Sequence, residues 1–136
     1  MVRPSAAASH VVLRRPQADG SMPMIKVVYC ITKKGSLTDQ EFFDYWENIH
    51  GPIGARIPRL RKLVQSHRLT IPGDKHRPDY DGMVELWFDD LEALTAARES
   101  PEWKASTEDE ANFIDHNEVA YFVSEEHVIF DEARNS

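Results

Sequence analysis

The stretch Ile25-Lys26-Val27-Val28-Tyr29-Cys30-Ile31-Thr32, followed after Lys33-Lys34-Gly35-Ser36 by Leu37-Thr38-Asp39-Gln40-Glu41-Phe42, sets the first two elements of the chain. The first run is β-branched and alternating, so it predicts a strand with Ile25, Val27, Tyr29 and Ile31 on one face. Thr38 and Glu41 have the spacing of a capping box, and Leu37 with Phe42 that of a hydrophobic staple, so a helix starts at about Asp39. Phe42, Phe43, Trp46 and Ile49 form its apolar face, and Gly51-Pro52 is expected to stop it.

Working outward, Leu63 to Leu69 predicts a second strand with Leu63, Gln65, His67 and Leu69 on one face, and Gly82 to Phe88 a third. Asp89 or Asp90 can cap a helix through Leu91, Leu94 and Ala97, and Ser100-Pro101-Glu102 restarts it. Trp103, Thr107, Ala111 and Ile114 then share a stripe. A last strand runs from Tyr121 to Phe130, with a bend or a division into two short strands expected at Ser124-Glu125-Glu126. The order β-α-β-β-α-β is that of an α+β ferredoxin-like sandwich, an antiparallel sheet with both helices on one face. Apolar side chains on both faces of the strands at Ile25 and Gly82 predict that a second copy covers the other face, giving a symmetric homodimer.

The domain is expected to span 25–130. Residues 1–24, with Pro4, a small-residue run, Pro16 and Asp19-Gly20-Ser21, show no sustained period and are expected to be a disordered tail or leader; 131–136 is a short C-terminal tail. With 136 residues, there is room for one domain. The single cysteine, Cys30, excludes a disulfide framework and points to a reducing, cytoplasmic setting. No apolar run approaches the roughly 20 residues a membrane span needs. The net charge of −7 argues against nucleic acid as a partner. From Glu85 onward three basic residues face fifteen acidic ones, a pattern expected of a solvated face.

Phe43, Trp46 and His50 fall on one helical stripe, which points the His50 imidazole toward the apolar side. There it can serve as an acid or base near neutrality, or simply cap the helix C-terminus. His67 on the second strand is open to the same two readings, catalytic or structural. Tyr80-Asp81 could bring a phenol and a carboxylate beside the histidines. Glu85, within an apolar strand, either faces solvent or needs a partner. No metal-binding spacing of histidines exists, so no metal is expected. Gly-rich nucleotide loops, a nucleophile-elbow serine and a lysine in an apolar run are all lacking, so no cofactor is expected. Proton transfer in an aromatic pocket, or no chemistry, remains.

Phe42-x-x-Tyr45-Trp46-x-x-x-His50-Gly51-Pro52-Ile53, then Val64-Gln65-Ser66-His67, then Tyr80-Asp81-Gly82-Met83-Val84-Glu85-Leu86-Trp87-Phe88-Asp89 and Ser100-Pro101-Glu102 together resemble the EthD-domain family. The resemblance covers about Ile25 to Phe130 and implies the dimeric α/β-barrel form of the ferredoxin-like fold. It further implies a cofactor-free dehydratase, decarboxylase or isomerase, with cofactor-independent monooxygenases among similar small barrels. His50 and His67 would then exchange protons with a small aromatic, polyketide-like or lactone molecule. Phe43, Trp46, Trp87 and Trp103 would hold it between sheet and helices, and Tyr80 or Tyr45 would hold an enolate oxygen. The competing expectation is a barrel that binds a hydrophobic metabolite without chemistry.

Overall fold

The computed structural model describes residues 12–134. Strand β1 is Ile25–Ile31, β2 Lys62–His67, β3 Gly82–Phe88 and β4 Ala120–Glu125. They form one sheet of order β2-β3-β1-β4 in which every neighbouring pair is antiparallel. Helices α1 (Asp39–Tyr45), α2 (Gly51–Gly54), α3 (Leu91–Arg98) and α4 (Pro101–Asp109) complete the α+β ferredoxin-like order. Val27 lies opposite Leu86 and Val123, so one face of the sheet collects Ile25, Val27, Tyr29, Ile31, Val84, Leu86 and Phe88. That face packs on the helices in two clusters, one with Ile57, Ala93, Leu94 and Ala97, the other with Phe42, Trp46, Phe113 and Ile114.

The local signals act where they stand. The Thr38 hydroxyl accepts from the Glu41 amide at 3.1 Å while the Glu41 carboxylate accepts from the Thr38 amide at 2.9 Å. Asp90 caps α3, and Ser100 caps α4 with Pro101 in its first turn, where a missing N–H costs nothing. Glu85 has its partner: it accepts from the Lys26 ammonium at 2.9 Å, on the sheet face away from the helices.

Three features differ from expectation. The first helix does not stop at Gly51-Pro52; Trp46–His50 widens into a π-helical turn that runs into α2. The Gly51 amide reaches back five residues to the Trp46 carbonyl, and Pro52 falls in the first turn of α2. Strand β4 ends at Glu125, because that carboxylate turns to Arg14 at 2.7 Å and His127 at 2.6 Å; beyond it Ile129 and Phe130 are exposed. A 3₁₀ turn at Glu110–Asn112 leaves Ala111 exposed and carries Phe113 into the core.

The packing also extends upstream of Ile25. Pro23 is fully buried, Arg14 donates to its carbonyl at 2.6 Å, and the Gln17 side chain accepts from the Val128 amide at 3.2 Å. The portion of the expected tail at 1–11 lies outside the described residues, as do 135 and 136. Among the described residues no helix is long and apolar enough to cross a membrane.

Candidate active site

Between the sheet and the helices lies a cavity of about 60 Å³. Tyr29, Val84 and Leu86 from the sheet, Trp46 and His50 from the π-helical turn, Trp103 from α4, and Glu110 and Phe113 from the turn after it line the cavity. The π-helical turn holds Trp46 and His50, four positions apart at its two ends, both of which line the cavity. Its Trp46 carbonyl, already bonded to the Gly51 amide, takes a second donor from the Gln65 side chain at 2.8 Å.

His50 Nδ1 lies 2.9 Å from Asp109 Oδ2, across a chain separation of 59 residues. Asp109 also accepts from the Tyr45 hydroxyl at 2.6 Å and from the Asn112 amide nitrogen at 3.0 Å. The His50 and Asp109 side chains are only 14% and 12% exposed, so the pair is largely shielded from water. Burial pushes the Asp109 carboxyl up, but the hydrogen bonds from Tyr45, His50 and Asn112 outweigh it and hold it below its ordinary value. An ionised carboxylate only accepts, so His50 Nδ1 carries the proton and Nε2 is the nitrogen open to chemistry. The ring packs on Phe113 at a centroid distance of 4.6 Å. The hydrogen-bond partner of the His50 side chain is thus a carboxylate on another element, while the residue itself stands in the last turn of the π-helix.

Two more titratable groups reach the cavity. Burial raises the Glu110 carboxyl above the usual range, with His116 at 3.3 Å and the nearby His50 pulling the other way. Burial likewise raises the Tyr29 phenol, and the Glu110 charge adds to it.

The other expected residues are distributed around this centre. Trp103 lines the cavity. Tyr45 touches it through Asp109. His67 is stacked between Phe43 and Trp46, at centroid distances of 5.0 and 4.6 Å, and its Nε2 lies 2.9 Å from the Gln65 side-chain oxygen. Because Gln65 uses its nitrogen on Trp46, that oxygen is the acceptor and His67 Nε2 the donor. His67 and Tyr80 border a separate open groove with Arg68 and Cys30. Trp87 faces the other side of the sheet, as alternation from Leu86 requires; its indole donates to Glu126 at 2.8 Å and lies beneath the Lys62 ammonium. The cavity therefore gathers Trp46, His50 and Trp103 and leaves out His67, Tyr80, Phe43 and Trp87.

Asp109, Glu110 and Tyr29 are the site groups that inspection of the sequence did not single out. Among the described residues no cluster of three or more His, Cys, Asp or Glu is arranged to hold a metal ion.

The ferredoxin-like fold is shared by many proteins, and the sequence gives this chain its place among them. The chain belongs to the EthD domain family, whose family model matches residues 34–117. It is similar to an ethyl tert-butyl ether degradation (EthD) family protein from Bacillus halodurans, at 26% identity and a TM-score of 0.64, covering 76% of this chain and 98% of that one. A dimeric ferredoxin-like protein from Thermobifida fusca has a TM-score of 0.59 at 15% identity, over 76% of this chain and 92% of that one. SnoaB, a cofactor-independent oxygenase from Streptomyces nogalater, has a TM-score of 0.56 at 14% identity, over 81% and 99%. The last two likenesses concern the fold alone. No functionally curated protein matches the sequence.

Proposed function

We propose that this protein is a cofactor-independent enzyme that moves protons on a small aromatic, polyketide-like or lactone metabolite, with His50 as the acid-base group. The observation that carries the reading is the His50–Asp109 contact of 2.9 Å at the wall of an otherwise largely apolar cavity. Asp109 holds the imidazole in one tautomer and compensates the charge it gains when Nε2 takes a proton. Trp46 and Trp103, which both line the cavity, supply flat apolar surface. The cavity is smaller than the roughly 150 Å³ that holds a benzene ring in a dry protein core, so a ring must displace part of the wall. Helix α4 contributes no fully buried side chain and is the wall best able to yield.

His67, stacked between two aromatic rings outside the cavity, is assigned a packing role in this proposal. We further propose that the sheet face bearing Val28, Cys30, Met83 and Phe122 pairs with a second copy of the chain; this apolar patch, flanked on the same face by the Lys26–Glu85 pair, and the dimeric description of the Thermobifida neighbour support this.

The test is deuterium exchange. A panel of enolisable aryl ketones and lactones is incubated with the protein in D₂O, and loss of the α-proton signal is followed by NMR. At least one class exchanges, and His50→Ala slows it by roughly 10²- to 10⁴-fold while the variant stays folded. Equal exchange by the variant overturns the proposal. Binding without exchange assigns the protein to ligand carriage, and oxygen uptake without exchange assigns it to the oxygenase chemistry of the Streptomyces neighbour.

A further inference from the structure

We infer that the cavity takes uncharged molecules bearing a carbonyl-type acceptor and excludes carboxylates, and that Glu110 makes the distinction. This deepens the site proposed for His50 and rests on that assignment. Among the described residues the titratable groups lining the cavity are Tyr29 from β1, His50 from the π-helical turn and Glu110 from the 3₁₀ turn after α4, and no lysine or arginine lines it. Around Glu110 stand His116, bonded to it at 3.3 Å, Asp109 in the adjacent position, and His50. Arg98 lies farther out, its guanidinium over the rings of Trp103 and Tyr121 at 5.8 and 5.6 Å.

The electrostatic consequence is one-sided. The positive charge that a protonated His50 could offer is already matched by Asp109 at 2.9 Å. A carboxylate entering the cavity would shed its water, find no free cation among the described lining residues, and meet repulsion from Glu110 whenever that group is ionised. An uncharged carbonyl meets no such penalty. Glu110, when it holds its proton, donates one hydrogen bond to the carbonyl oxygen, and partial burial favours that neutral form. Selection therefore comes from repulsion of the wrong ligand as well as attraction of the right one.

Benzamide and benzoate have the same shape and differ in charge, so they test this without requiring turnover. Each is titrated by amide NMR into the wild-type protein and into Trp103→Ala, in which the wall is cut back. Benzamide perturbs the amides of Tyr29, His50 and Glu110 and binds at least about tenfold tighter than benzoate. Wild-type affinity for benzamide falls as pH rises and Glu110 loses its proton, whereas Glu110→Gln, a permanent donor, holds its affinity across the same range. Benzoate binding as tightly as benzamide overturns the inference, as does failure of both to bind either protein, or a pH profile unchanged in Glu110→Gln. Deuterium exchange that depends on His50 but is fastest on carboxylates would defeat this inference alone. Selective benzamide binding with no exchange on any substrate would defeat the catalytic reading alone.

Discussion

His50 and His67 are the same residue type, both beside Trp46, and their surroundings give them different chemistry. His50 ends a π-helical turn, with Nδ1 on an ionised carboxylate, and lines the cavity. His67 is held by ring stacking on two sides, and its one side-chain bond goes to a neutral amide. A carboxylate partner stabilises the imidazolium as it forms; an amide oxygen between stacked rings does much less. In the function proposed above, it is the partner, more than the aromatic surroundings, that separates the acid-base group from the packing group.

The largest effect that would break this comparison is on turnover. His50→Ala is expected to lower turnover by roughly 10²- to 10⁴-fold, while His67→Phe, which keeps the stack, stays within about threefold. Matched losses at the two positions, measured as the exchange rate of one substrate, would mean that both histidines act on it.

These differences were unevenly visible in the sequence. Thr38 with Glu41, Asp90, and Ser100 with Pro101 are local devices whose partners lie within three residues, so the helix starts could be read directly. Strand alternation gave the four strands and their order. Asp109 could not be found that way, because its partner His50 is 59 positions away and it sits among fifteen acids that resemble a solvated face. The nearest clue was that Tyr45 and His50 flank Trp46 while Asp109 and Glu110 follow the stripe begun at Trp103 and Thr107. The π-helical turn has no sequence signature of its own; it arises where Pro52 lacks an N–H and Gln65 can bond the widened Trp46 carbonyl. Trp87 is expected in the pocket from the family resemblance, although its position beside Leu86 on a strand puts it on the opposite face.

A second test concerns what holds the stack on His67 together. Gly82 lies opposite His67 and beneath the Trp46 ring, and a Cβ there would overlap that ring. Trp46 is 1% exposed and has no loose end to give way. Gly82→Ala is therefore expected to cost about 1–3 kcal/mol in a denaturant titration. Gly35→Ala, with nothing within 4 Å of the added methyl, serves as the control and stays within about 0.5 kcal/mol. An unchanged midpoint for Gly82→Ala would show that Trp46 is free to move, and with it the wall of the cavity.

Removing the His67 bond without the stack gives a smaller effect. His67→Phe leaves the Gln65 oxygen without its donor and is expected to cost about 0.5–1.5 kcal/mol. A cost well above that range would indicate that Gln65 then releases the Trp46 carbonyl and the π-helical turn rearranges, which circular dichroism and His50-dependent exchange would both register.

The smallest effect sharpens the comparison from the side of His50. The Asp109 carboxyl is held below its ordinary value of 3.8 in the folded chain, so its hydrogen bonds contribute stability that is present above that value and lost as pH falls through the lower, folded one. Tyr45→Phe removes one of three donors and leaves His50 and Asn112 in place. The folded carboxyl then moves back toward 3.8, the variant is less stable by about 1 kcal/mol near neutrality, and the gap from wild type narrows as pH falls below about 4. Because Asp109 stays ionised near neutrality, Nδ1 of His50 keeps its proton and the exchange rate should change by less than about tenfold. A larger loss of exchange would mean that Tyr45 fixes the position of Asp109 as well as its charge, making the phenol a positioning residue for the imidazole.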